Sequence, residues 1–190
     1  MELTNAAAVA RIVSGTIIAG DGAVAVGPDV VIDSRLAAPD ALFVALPGDR
    51  VHGHDFVATA AAAGATAALV SRATGSDLTE IQVSDPLVAL AALARAQVDA
   101  ARVRGLRTVA ITGSSGKTST KDLVAQVLEA SGPTVAPRGS FNNEIGTPLT
   151  ALMVTAETRY LVAEMGARGP GHIRSLTGIV APDVGVVCNV

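Results

Sequence analysis

The chain has 190 residues, a net charge of −3 and one cysteine, Cys188, so it can form no internal disulfide and suits a reducing, cytoplasmic setting. Aromatic residues make up 2%, with no Trp and one Tyr, Tyr160; with the acidic balance this argues against a nucleic-acid partner, because neither a basic surface nor stacking platforms are present. Mean hydropathy is +0.47, but Gly, Asp, Arg or Thr breaks the Ala/Val-rich sequence every few residues, no run reaches the roughly 18 apolar residues of a spanning helix, and no basic segment precedes an apolar one near Glu2, so neither membrane insertion nor a secretory signal is expected.

Thr4–Val13 is expected to form a short helix, capped by Thr4 or Asn5 and closed by Gly15. Strand-type runs follow at Thr16–Ala19 and Val30–Ile32, the second leading into Asp33-Ser34-Arg35. Ala41–Leu46 is a further strand, ended by Pro47-Gly48. His52 and His54 are two apart, which does not match the i, i+4 pair of helical zinc sites, and His54 is read as a structural loop residue, a nucleotide contact being the alternative. Phe56–Ala63 reads as a helix, and Ala67–Ser71 and Glu80–Val83 as strands. A long helix then starts with Asp85 as N-cap and Pro86 at the first helical position. It runs to Arg102-Val103-Arg104-Gly105, a basic, glycine-ended stretch taken as the boundary between domains 1–105 and 106–190.

The stretch Thr108–Asp122 carries the most chemistry. An apolar run, Val109–Ile111, enters the loop Gly113-Ser114-Ser115-Gly116, and Lys117-Thr118-Ser119 opens a helical pattern reaching Ala130. Strand, glycine loop, lysine, hydroxyl and helix is how a chain cradles nucleotide phosphates. The two glycines let the backbone turn tightly and approach an anion without a Cβ in the way. Lys117 would reach the outer phosphates, and Thr118 could ligate Mg²⁺. The loop is shorter than the common pattern, which would put a glycine where Ile111 stands. Lys121 and Asp122, in the following helix, are expected to be solvated.

Beyond that helix come a strand at Thr134–Ala136, a loop around Ser140–Gly146, a helix at Thr147–Met153, a strand at Tyr160–Glu164, a short helix at His172–Leu176 and a strand at Val184–Val190. Apolar strands alternating with helices predict an α/β fold with a mostly parallel sheet covered on both faces. Tyr160–Glu164 ends in a carboxylate at the sheet edge that carries Lys117 and Thr118, so Glu164 is the candidate second Mg²⁺ ligand; a surface acid at a strand end is the other reading. Cys188 is expected to pack inside a buried last strand. A chain that stops at Val190 within an apolar strand is read as a truncated central domain.

Three segments together resemble the Mur ligase family: T-G-S-S-G-K-T-S-T-K-D at Thr112–Asp122, S-F-N-N-E-I-G-T-P-L-T at Ser140–Thr150, and A-E-M-G-A at Ala163–Ala167. The N-terminal half agrees through Asp33-Ser34-Arg35, Leu42–Gly48 and Gly53–Phe56. The resemblance implies an ATP-dependent amide ligase of peptidoglycan precursor synthesis. It implies an N-terminal domain that grips the UDP part of the substrate, a P-loop-type central domain for ATP and Mg²⁺, and a C-terminal domain outside this chain. The G-S-S-G-K-T loop and the Asn142-Asn143 pair imply a UDP-N-acetylmuramoyl-tripeptide and D-alanyl-D-alanine as substrates, joined through an acyl phosphate, by an enzyme expected to be monomeric. Lys117 becomes the catalytic group on the phosphates, Gly113–Ser119 the nucleotide site, and Thr118 and Glu164 the metal site. Ser34 and Arg35 become candidates for the UDP-sugar, since an arginine can hold a diphosphate bidentately; a local ion pair is the alternative. Asn142 and Asn143 become substrate contacts, a turn being their alternative. His172 lies in Gly169-Pro170-Gly171-His172, where the family pattern differs, and receives no role. The chain alone is expected to lack ligase activity. On the residues alone, a related or folylpolyglutamate-type ligase, or a non-catalytic nucleotide or UDP-sugar module, remains open.

Overall fold

The computed structural model describes residues 1–48 and 51–189. The chain divides into two compact units, Met1–Leu93 and Ala94–Val190.

The first unit opens with β1 (Thr4–Asn5) and α1 (Ala6–Ile12). The expected helix begins later than Thr4 because Thr4 and Asn5 pair antiparallel with β3 (Ala25–Val26). Asn5 is the cap, its Oδ1 accepting from Ala8 N at 2.9 Å. β2 (Thr16–Ala19), β4 (Val30–Val31), β5 (Leu42–Val44), β6 (Ala67–Val70) and β7 (Thr79–Gln82) form one sheet in the order β2-β7-β6-β5-β4. β4 to β7 run parallel and β2 pairs antiparallel at one edge. β5 and β6 are buried along their whole length, as a strand covered on both faces must be. Phe43, Ala45, Ala68 and Val70 pack with Val57 and Ala60 of α2 (Val57–Ala62). The chain from β4 to β5 includes a single 3₁₀ turn at Ser34–Leu36.

α3 (Pro86–Val103) starts as predicted, with Asp85 Oδ1 accepting from Leu87 N at 2.7 Å. In the second unit β8 (Arg107–Gly113), β9 (Thr134–Val135), β10 (Tyr160–Glu164) and β11 (Val184–Cys188) form an all-parallel sheet in the order β11-β8-β10-β9. Val109 and Ile111 of β8 and Val162 of β10 pack beneath Ala125, Val124 and Leu128 of α4 (Lys117–Glu129). α5 (Gly146–Leu152) and α6 (His172–Val180) pack on each other and against β10 and β8. α6 runs four residues past its predicted end because Leu176, Ile179 and Val180 are buried, which outweighs the low helix propensity of Gly178.

One expectation fails here. Among the described residues β11 pairs with β8 alone, and Val184 and Val187 are more than half exposed. Cys188 is half-buried against Thr120, its Sγ 3.4 Å from Thr120 Oγ1. Apolar composition alone cannot tell an edge strand from a central one. Val190 lies outside the described residues. No helix among the described residues is long and apolar enough to cross a membrane.

Candidate functional site

β8 delivers the chain to the glycine loop at the carboxyl edge of the sheet. At Gly113 φ is +141°, and an added Cβ would lie 1.8 Å from the Cys188 carbonyl oxygen. The loop therefore passes directly against the end of β11, which only a glycine permits. The same neighbour fixes the next residue: Ser114 donates to the Asn189 carbonyl through N (2.8 Å) and Oγ (2.9 Å). Asn189 Nδ2 in turn donates to Ser115 Oγ at 3.3 Å. Gly116 is left-handed (φ +79°) and is the N-cap of α4, with no side chain bonded to the first turn. The first amides of a helix have no partner within it, so those of Lys117, Thr118 and Ser119 form an anion-seeking end. Lys117 folds back over the loop and donates Nζ to the Gly113 carbonyl at 2.7 Å.

The register of β10 against β8 sets Glu164 opposite Ile111, two residues before Gly113. Glu164 is only 1% exposed. Thr118 Oγ1 donates to its Oε2 at 2.9 Å, and Asn142 Nδ2 donates to its Oε1 at 2.8 Å. Ser140 Oγ lies 3.3 Å from Thr118 Oγ1. Hydroxyl, carboxylate and amide are thus drawn from separate segments into one cluster. All its potential metal donors are oxygens, which suits Mg²⁺; that ion keeps several waters and needs few protein ligands. Among the described residues no group of three or more His, Cys, Asp or Glu could hold a metal by itself. The residues present therefore fit a cation shared with phosphate oxygens and water rather than an all-protein cage.

The paired asparagines separate. Asn142 reaches the acid, whereas Asn143 turns to the backbone: its Oδ1 accepts from Gly146 N (2.7 Å) and Ile145 N (3.2 Å) at the start of α5. Asn143 holds the turn that the sequence offered as its alternative. A shallow cavity of about 330 Å³ opens beside them, lined by Arg138, Ser140, Phe141 and Asn143.

Lys121 corrects the expectation of a solvated side chain. It is 2% exposed, and its Nζ donates to the Pro137 carbonyl at 2.8 Å and lies 3.4 Å from that of Gly139. Asp122, 55% exposed at the side chain, contacts the same ammonium at 2.6 Å. The burial follows from helical spacing: Lys121 stands four residues before the buried Ala125, on the face turned to the sheet. That spacing was the available signal. A second unforeseen cluster joins Glu144 to Arg168 and to His172, each at 3.3 Å. Hydrogen bonding to its own backbone amide is the main cause that holds the Glu144 carboxyl below its ordinary range, with Arg168 and His172 adding to it.

In the first unit Ser34 is buried within its 3₁₀ turn, while the Arg35 side chain is 83% exposed. Arg35 forks onto Asp33, with Nη2 to Oδ2 at 2.6 Å and Nε to Oδ1 at 2.9 Å, and these bonds hold the Asp33 carboxyl down at about 2. His54 is buried in a 3₁₀ turn, Gly53–Phe56, and its Nε2 accepts from Ser71 N at 2.9 Å. Burial, then nearby Arg72 and His52, push its pKa below the ordinary value. Glu80, fully buried in β7, was not foreseen. Burial pushes its carboxyl up, but bonds from Thr74 and Ser76 together outweigh this and hold it low.

Comparison with known proteins matches two family models in succession along the chain. Residues 29–107 match the Mur ligase family catalytic domain and 111–190 the Mur ligase middle domain. The UDP-N-acetylmuramoyl-tripeptide–D-alanyl-D-alanine ligase of Mycobacterium leprae is 48% identical over 85% of this chain and 35% of its own length. The structure of MurF from Acinetobacter baumannii superimposes with a TM-score of 0.90 at 31% identity, over 98% of this chain and 40% of that one. MurF ligase from Thermotoga maritima, solved in complex with ADP, gives a TM-score of 0.75 at 36% identity, over 85% of this chain and 37% of that one. This chain thus spans about a third of the length of the curated relatives it matches. With both models of one family laid end to end along it, and with the fold of solved MurF proteins, the chain belongs to the Mur ligase family and is MurF-like within it.

Proposed function

We propose that this chain forms the UDP-substrate and ATP-phosphate regions of a ligase that adds D-alanyl-D-alanine to a UDP-N-acetylmuramoyl-tripeptide. Residues 1–105 serve the UDP end, through Ser34 and Arg35, and 106–190 serve the nucleotide. One observation carries this reading: Thr118, at the start of the helix after the glycine loop, meets the buried carboxylate of Glu164 at 2.9 Å. A phosphate cradle with a hydroxyl–carboxylate pair at its mouth is what a Mg²⁺–nucleotide requires.

Joining a carboxylate to an amine needs the carboxylate oxygen turned into a leaving group, and ATP supplies the phosphoryl group for this. Two anions must then approach each other, so positioning and charge compensation dominate the protein's part. The loop and helix amides from Ser115 to Ser119 orient the phosphates, while that of Ser114 stays on the Asn189 carbonyl. Lys117, released from the Gly113 carbonyl, places its ammonium on the outer ones. Thr118 and Glu164 would hold Mg²⁺, which adds further positive charge there. Asn142 keeps the Glu164 carboxylate turned toward Thr118 by occupying its other oxygen. A monomer acting in the cytoplasm completes the proposal.

The test has two parts. Calorimetry of the chain with ATP should show binding that tightens with Mg²⁺. In the full-length protein, phosphate release should depend on both the UDP-muramoyl-tripeptide and D-alanyl-D-alanine; release without the amine would point to a nucleotide hydrolase or switch instead.

A further inference from the structure

Lys121 is a buried ammonium that the reaction above does not use. Burying such a group is costly unless it is well partnered, and an aliphatic side chain would fill the same space without that cost. Its partners are therefore informative. Beyond its neighbour Asp122, they are the carbonyls of Pro137 and Gly139, in a segment without helix or strand pairing of its own. Pro137 is buried, whereas Arg138, Gly139 and Ser140 are exposed. The Lys121 contact is thus the anchor at one end of this segment. At the other end the Asn142 carbonyl accepts from Gly166 N at 2.7 Å. Ser140, beside Thr118, lies between these anchors, and Asn142, on Glu164, is the second of them.

We propose that Lys121 is a positioning residue for the metal end of the site: by holding the Pro137 and Gly139 carbonyls to α4, it fixes the segment that delivers Ser140 to Thr118 and Asn142 to Glu164. The helix that presents Thr118 also carries the clamp for that segment, one turn further on. The phosphate cradle has a separate anchor in the Asn189 carbonyl, which takes the amide of Ser114. Loss of Lys121 should therefore loosen the metal end and spare the cradle. The inference rests on the Mg²⁺–nucleotide reading given above.

ATP titrations of the chain, with Mg²⁺ and with EDTA, test it. In Lys121→Met, metal-free ATP affinity should stay within about twofold of wild type, while the gain from Mg²⁺ falls about tenfold, as when a group supporting a metal ligand is removed. Amide exchange at Ser140–Asn143 should quicken in the same variant. Equal losses with and without metal would make Lys121 a general stability residue and overturn the proposal, as would an undiminished Mg²⁺ gain. Where Lys121→Met does not fold, Lys121→Gln, which keeps an N–H donor, carries the same two titrations; failure of both to fold assigns Lys121 to folding and overturns the proposal. A wild-type chain indifferent to Mg²⁺ would sink the underlying reading itself, an outcome distinct from a failure seen only in the variants.

Discussion

In the second unit the candidate groups come from separate stretches of chain, Gly113–Ser119, Ser140, Asn142 and Glu164, and they hydrogen-bond one another. In the first, Ser34 and Arg35 are neighbours in sequence, and Arg35 binds Asp33, two residues away. One arrangement is assembled by a parallel sheet around the buried Glu164; the other is local, with Arg35 open to solvent. The difference predicts where substitution is felt. Groups in the assembled cluster support each other's geometry, so damage spreads, while an exposed local pair can be lost with little effect on the fold.

The largest effect should come from Gly113→Ala. A Cβ at 1.8 Å from the Cys188 carbonyl, on a backbone with φ +141°, forces β8 and β11 apart. The expected cost is about 3 kcal/mol or more, with ATP binding lost, as thermal melting and calorimetry would show; a near-normal melting temperature would break the claim that the loop is seated on β11. Next is Lys117→Ala. Its Nζ is bonded only within the loop, to Gly113, so the fold should survive, while kcat of the full-length protein falls at least about 10²-fold, as for loss of one preorganised charge-stabilising group. Steady-state kinetics would check this, and unchanged kcat would remove Lys117 from the proposed role.

Glu164→Ala should weaken the Mg²⁺ dependence of ATP binding by about 10- to 100-fold, since Thr118 and Asn142 both lose the group that orients them. For the local arrangement, Arg35→Ala should leave the melting temperature unchanged yet raise KM for the UDP-substrate about tenfold, the equivalent of one charge-assisted hydrogen bond. A drop in stability with unchanged KM would reverse the contrast between the units.

The smallest effect concerns pH. Burial lowers the His54 pKa below its ordinary value of 6.5, so the unfolded chain binds the proton more readily than the folded one. Stability from neutral His54 is complete above that value and declines as pH falls below it, because protonation removes the acceptor of Ser71 N. Glu80 acts further down: its lowered carboxyl gives stability that is present above pH 4.5 and lost as pH falls through its folded value. Melting curves of wild type and His54→Phe across pH 7.5 to 5 should differ in slope; parallel curves would exclude His54 as the group responsible.

Legibility followed the kind of constraint. The glycine loop between β8 and α4 was readable because backbone geometry demands glycines at fixed places, with a strand before and a helix after them. Glu164 was readable because a strand ending in an acid lands on a known sheet edge. Asn143 was ambiguous, since an amide that caps a turn and one that meets a ligand have the same sequence. Lys121 was misread because its charge suggested solvent, although its spacing from Ala125 placed it inward. The exposure of Val184 and Val187 was not legible because strand order decides it, and order is not written in any single run of residues.

By itself, then, the sequence determined the alternation of strands and helices, the glycine loop at 113–116 and the candidates Thr118 and Glu164, all of which depend on local periodicity and backbone conformation. Only the tertiary structure decided that Asn142 rather than Asn143 holds Glu164, that Asn189 seats the loop, that Lys121 is buried and that β11 lies beside β8. Each of these rests on contacts between residues far apart in the chain, which arise only once the parallel sheet has fixed its order and register.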